Sequence, residues 1–162
     1  MSNQGFTAPD PGSVARTLTW LLGRDVQVLL GSTLETGGDA RVPASMIVHE
    51  EGRPIGVLAA DLALMAHMGA ALALYPQARA EEMVETGVLD ESLWENAQEV
   101  FNVLTRFYQP GVRGMIRLGD KWNGFNTPPQ IRQVIEKSPI REDYRVKIPG
   151  YGEGMLSLAA FA

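Results

Sequence analysis

The feature that most constrains this chain is an apolar run over residues 55–75, broken by Asp61 and His67. A run of about 20 apolar residues is long enough to cross a bilayer. An aspartate near its middle would cost about 2.5–3.5 kcal/mol there, and much of the rest is alanine and glycine. The run therefore reads as two elements of a soluble protein. Residues 55–59 form a buried strand. Asp61 then caps a core helix carrying Leu62, Leu64, Met65, Met68, Leu72 and Leu74, which Pro76 stops. Upstream, residues 42–49 alternate imperfectly, with Val42, Ala44, Met46 and Val48 on one face, and Glu51-Gly52-Arg53-Pro54 supplies the turn of a hairpin.

The remaining elements arrange themselves around this unit. Asp10 or Ser13 caps a first helix to about residue 22, with Val14, Leu18, Leu21 and Leu22 on one face and Gly23 closing it. Residues 26–30 read as a short buried strand and residues 31–41 as a loop. Residues 78–85 suit a short amphipathic helix ended by Gly87. Asp90 or Ser92 opens a long helix to about residue 109, stopped by Pro110-Gly111, and a strand is expected over residues 112–118. An irregular stretch holds Trp122-Asn123-Gly124-Phe125 and Pro128-Pro129, with a helical turn at residues 130–136. Residues 144–148 and 154–160 pair around Pro149-Gly150-Tyr151-Gly152-Glu153. The order helix–strand–strand–hairpin–strand thus occurs twice, opening at Asp10 and again at Asp90. It predicts an α+β fold, a mainly antiparallel sheet with helices packed on one side. A length of 162 residues suits one domain. Residues 1–9 are expected to be a flexible N-terminus and residues 10–162 a single domain.

Composition removes several function classes. A formal net charge of −5 argues against nucleic acid as a partner, because neutralising phosphates needs clustered Lys and Arg. The chain has no cysteine, which excludes disulfides, cysteine-based metal centres and thiol nucleophiles. With no basic, apolar leader at its start, the chain is expected to be cytoplasmic, with no membrane contact. No phosphate loop, GxGxxG, HExxH or GxSxG pattern occurs. His49 and His67 lie in different elements, and His49-Glu50-Glu51 reads as a solvated turn. Gly150, Gly152 and Gly154 read as turn glycines. Glu81/Glu82 and Asp90/Glu91 read as acids at helix starts, where they complement the helix dipole. No metal site is expected in the chain.

The helix over residues 91–109 stands out. Leu93, Ala97, Val100, Phe101, Leu104, Phe107 and Tyr108 make an apolar face. Glu95, Gln98, Glu99, Asn102, Thr105, Arg106 and Gln109 make one continuous polar stripe on the other side. Glu95 and Glu99 are like charges one turn apart, and Asn102 is a poor helix former in mid-helix. Glu99 and Asn102 project to the same patch. Spacing alone reads as an ordinary solvated face, since ExxN is a common tetrad.

In context the pattern resembles the CheC/CheX/FliY family of chemotaxis phosphatases. That family carries Asp or Ser, three residues, Glu, two residues, Asn and, further on, Pro. Here Glu95 stands at the Asp/Ser position, followed by Glu99, Asn102 and Pro128. Gly52-Arg53-Pro54-Ile55-Gly56-Val57-Leu58, then Asp61 and an Ala/Leu helix, resembles the family's hairpin-then-helix segment. The first repeat helix has neither the Glu nor the Asn, and a single ExxN in the second helix resembles CheX.

The resemblance implies hydrolysis of the aspartyl-phosphate of a CheY-type response-regulator receiver domain. It implies Glu99 and Asn102 as catalytic residues: Asn102 positions the attacking water, and Glu99 pairs with a lysine of the receiver. Glu95, Gln98 and Arg106 would form the partner-binding surface. Mg²⁺ would be supplied by the receiver, with no cofactor in this chain, and a two-fold homodimer could continue the sheet. The alternative is a non-catalytic module of the same fold that binds a receiver or a flagellar or chemotaxis protein. A third reading is a structural or oligomeric protein whose helix face is merely solvated.

Overall fold

The computed structural model describes residues 6–161. Three of the helix starts follow from a local carboxylate cap. The Asp10 carboxylate accepts from Ser13 N at 2.8 Å and opens α1 (Pro11–Leu22). Asp61 accepts from Leu64 N at 2.8 Å and opens α2 (Leu62–Leu72). Asp90 accepts from Leu93 N at 2.8 Å and opens α4 (Glu91–Leu104). An N-cap of this kind contributes about 0.5–2 kcal/mol. The short helix α3 (Gln77–Thr86) lies between α2 and α4, and α5 (Pro129–Lys137) is a full helix where a single turn was expected.

Six strands build one sheet: β1 (Gln27–Leu29), β2 (Ala44–His49), β3 (Pro54–Ala60), β4 (Ile116–Trp122), β5 (Ile140–Ile148) and β6 (Gly152–Ala160). Their spatial order is β1-β5-β6-β3-β2-β4, and every pairing is antiparallel. The order is its own mirror about the β3–β6 junction, where Leu58 faces Leu158. Each half contributes a hairpin to the centre and a lone edge strand to the other half's side. The two expected copies are therefore interlocked rather than placed side by side.

One sheet face carries Ile47, Leu58, Leu156 and Leu158 against α1, α2 and α4. The other carries Val42, Ala44, Val57 and Ala59, covered by Ile135 of α5 and by Leu34. Helices thus lie on both faces, not on one. Residues 31–41 are tied down by a buried network. Asp143 pairs with Arg141 at 2.8 Å and accepts from Leu34 N at 2.7 Å and Ser157 Oγ at 2.7 Å.

Several boundaries differ from the sequence reading. The strand expected over residues 112–118 starts at Ile116, because a turn with left-handed Gly111 and Gly114 comes first. β1 is an edge strand with only its middle residue buried. His49 is not solvated. It is buried, with Nε2 at 2.5 Å from the Arg113 carbonyl and Nδ1 accepting from Glu51 N. Residues 1–9 were expected to be flexible, and residues 1–5 lie outside the described residues. Phe6 and Pro9 are held: Phe6 stacks on Tyr108 with ring centroids 4.9 Å apart, and Tyr144 donates its hydroxyl proton to the Pro9 carbonyl at 2.7 Å. Among the described residues no helix is long and apolar enough to cross a membrane.

Candidate functional site

Helix α4 is held rigidly from both ends. Near its start it lies directly on α2. A Cβ added at Gly69 would stand 2.4 Å from the Leu93 carbonyl oxygen, so only glycine permits this approach. Asn96 Nδ2 donates to the Gly69 carbonyl across the same contact. At its end the helix tightens into a 3-10 turn (Thr105–Tyr108), with Thr105 Oγ1 donating to the Asn102 carbonyl at 2.6 Å. Tyr108 then plunges into the sheet centre. Its hydroxyl lies 3.0 Å from the Val57 carbonyl and 3.2 Å from the Ala159 carbonyl, across the junction of the two halves. Burial pushes that hydroxyl's pKa well above the ordinary tyrosine value. Gly56 makes room for the ring, since a Cβ there would meet it at 2.7 Å.

With the inner face fixed, the outer face is decided. Glu95, Glu99, Asn102 and Arg106 are all exposed. At roughly 100° per residue they fall within an arc of about 60°. Gln98 does not belong to this patch, contrary to its expected place on the partner-binding surface. It is 7% exposed, and its Oε1 accepts from Ser45 Oγ of β2 at 3.1 Å. It sits at the margin of the stripe, where the sheet reaches it, and Thr105 is buried at the same margin.

Two concavities flank the exposed face. Beside the first turns of α4 lies one of about 270 Å³, lined by Val88, Leu89, Glu91, Trp94, Asn123 and Phe125. The loop that presents Phe125 is built by side chains. Asn123 Oδ1 accepts from Phe125 N and Asn126 N, and Thr127 Oγ1 accepts from Gly124 N while donating to the Val42 carbonyl. Arg41 stacks over the Phe125 ring at 3.9 Å. Pro128, the last residue of the expected motif, follows this loop and immediately precedes α5. Trp122-Asn123-Gly124-Phe125, expected from the sequence to be irregular, is a side-chain-fixed turn. The Asn-Gly and Asn-Thr pairs were the available signal for a fixed turn. The second concavity lies beside the 3-10 turn and is shared with α1.

Among the described residues no three His, Asp or Glu side chains stand close enough together to hold a metal ion. What the arrangement offers chemically is a convex, rigid helix edge with one amide and two carboxylates in line. It could present these groups to the active site of another protein, but it encloses no substrate of its own.

No protein-family profile matches the chain, and no curated protein matches it in sequence. Solved structures do match. A CheX-CheY-BeF3-Mg²⁺ complex from Borrelia burgdorferi superposes with a TM-score of 0.52 at 13% identity, covering 93% of this chain and 94% of that one. FliY from Thermotoga maritima gives 0.51 at 18% identity, covering 92% and 83%. FliM in a FliM-SpeE complex from H. pylori gives 0.60 at 13% identity, covering 92% and 82%. The chain therefore has the CheC/CheX/FliY-type fold, shared with the middle domain of FliM.

Proposed function

We propose that this protein is a phosphatase for the aspartyl-phosphate of a CheY-type receiver domain, acting through Asn102 and Glu99. The observation that carries the reading is the shared exposure of these two side chains on the outward face of α4. Burial of both against the sheet would have ended it.

The chemistry asks little of the protein. An acyl phosphate is a good phosphoryl donor, and its transfer passes through a loose, metaphosphate-like state. Water has to be placed in line more than it has to be activated. The Asn102 side-chain Oδ1 accepts a water proton and its NH₂ group remains free to donate. Glu99, one turn earlier, would pair with a receiver lysine and fix the approach. Glu95 and Arg106 extend the same face and would contact the partner on either side. Mg²⁺ would belong to the receiver. The reading puts the protein in the cytoplasm with its partner.

Asn102→Ala tests the reading. A CheY-type receiver from the same organism is loaded with a small-molecule phosphodonor and its decay followed. Wild type should accelerate decay, and the variant should lose at least about a hundredfold of that rate, about 2.7 kcal/mol, with an unchanged melting temperature. Decay that wild type does not accelerate would reject the hydrolase.

A second reading, a binding module without catalysis, is favoured by one observation. FliM structures share the fold at TM-scores up to 0.60, and their complexes are with FliG and SpeE. Such a module would bind the receiver equally well with Asn102→Ala.

A further inference from the structure

We propose that the cleft between α1 and the 3-10 turn after α4 binds an acidic segment of a partner protein. The inference goes beyond hydrolysis and holds or fails whether or not Asn102 positions water. The cleft has a volume of about 350 Å³ and is lined by Ser13, Arg16, Thr17, Trp20, Arg106 and Phe107.

Charge is the first argument. Two guanidinium groups from separate elements line one cleft on a chain of net charge −5. Cations gathered at one surface raise each other's energy unless an anion enters. The ion pairs among the described residues involve His49, Arg79, Arg141 and Lys147, so neither Arg16 nor Arg106 is neutralised by one. The nearby Asp10 carboxylate caps α1, accepting from Ser13 N at 2.8 Å and Ser13 Oγ at 3.1 Å, and attracts Arg16 without closing a direct ion pair with it. Arg16 is oriented by donating to Ser13 Oγ at 3.1 Å. The planar fork of arginine takes a carboxylate through two parallel hydrogen bonds.

The second argument is apolar. Trp20 is 77% exposed, more than any other large apolar side chain described. Phe107 lines the same cleft. A free anion would satisfy the arginines and leave the indole in water. A peptide with Asp or Glu beside an apolar side chain satisfies both. Tryptophan and arginine are also the residues that most often carry interface energy. Arg106 lies one turn beyond Asn102, so the bound segment would run beside the exposed face of α4. Glu95 and Glu99 would repel it from the other half of that face. A partner thus meets a basic cleft at one end of α4 and an acidic edge at the other, which fixes its orientation.

The test is a selection. A phage-displayed library of random peptides about a dozen residues long is panned on the full chain, then counter-selected on Arg16→Glu/Arg106→Glu. Peptides that distinguish the two should be rich in Asp and Glu next to an apolar residue. A synthetic copy should bind the wild type at least about tenfold tighter than the variant, weaken with salt, and be indifferent to Asn102→Ala. In a Trp94→Phe/Trp122→Phe chain, Trp20 fluorescence should shift on binding. If the double reversal fails to fold by circular dichroism, Trp20→Ala and Arg106→Gln replace it in the same comparison. Enrichment of neutral or basic peptides, or of none that distinguish the chains, would overturn the proposal. So would inorganic phosphate producing the same Trp20 shift and displacing the peptide, because that describes a small-anion site.

Discussion

Helices α1 and α4 occupy corresponding places in the two interlocked halves and perform the same internal task. Each is opened by an aspartate cap and buries leucines at helical spacing against the sheet. Their outer faces have nothing in common. α4 presents Glu95, Glu99 and Asn102, whereas α1 presents Arg16 and Trp20. The fold constrains only the inner stripe of each helix, so the outer stripes were free to diverge into an acidic edge with an amide and a basic, aromatic cleft.

That comparison can be broken at several points. The largest effect should come from the inner stripes. Leu18→Ala on α1 and Phe101→Ala on α4 both remove fully buried side chains and should cost about 2–5 and about 3–5 kcal/mol respectively in urea unfolding. A much smaller loss at Leu18 would show that α1 is not an equal structural partner. Next is Gly69→Ala, which touches α4 alone. Its methyl would push on the Leu93 carbonyl and should cost about 1–3 kcal/mol, with α4 tilted and receiver dephosphorylation reduced. Unchanged stability would mean that the helix contact is softer than the geometry requires. Third, Glu99→Gln keeps the shape and removes the charge. It should weaken receiver binding by about tenfold, or 1.4 kcal/mol, and leave the melting temperature within a degree or two. Equal affinity for the variant would remove Glu99 from the docking surface.

The smallest effect sharpens the comparison by separating stability from function. His67 of α2 is buried beneath the β5–β6 turn, and burial lowers its pKa, with Glu81 opposing in part. The folded chain therefore holds the proton less tightly than the unfolded chain, where imidazole titrates near 6.5. The corresponding stability is fully present above that value and is lost as pH falls through it toward the lowered folded value. A melting series from pH 7.5 to 5 should decline, and His67→Leu should flatten the decline. Identical slopes in the two proteins would assign the acid sensitivity elsewhere.

Local chemistry was legible wherever it acted alone. Asp10, Asp61 and Asp90 mark three helix starts because a carboxylate beside unsatisfied N–H groups needs no tertiary partner. The exposed patch of Glu95, Glu99, Asn102 and Arg106 was legible for a similar reason: 3.6-residue spacing puts it opposite Leu93, Val100 and Leu104. Edges were not legible. Gln98 lies at the margin of its stripe, and only the arrival of Ser45 from β2 makes it an inward residue. β4 is a half-exposed edge strand whose register is set by pairing with β2, not by its own alternation.

By itself the sequence determined where three helices begin, to within Asp10 or Ser13, Asp61, and Asp90 or Ser92, together with the central hairpins, the twofold recurrence of the plan and the polar face of α4, because each depends on neighbours along the chain. The tertiary structure alone decided how the halves interlock and that α5 covers the second sheet face. It decided too that Phe6 packs on Tyr108, and that α1 and the end of α4 enclose one cleft. Those outcomes depend on contacts between residues far apart in the chain. Periodicity records how wide an apolar stripe is, but it carries no information about which distant surface the stripe will meet.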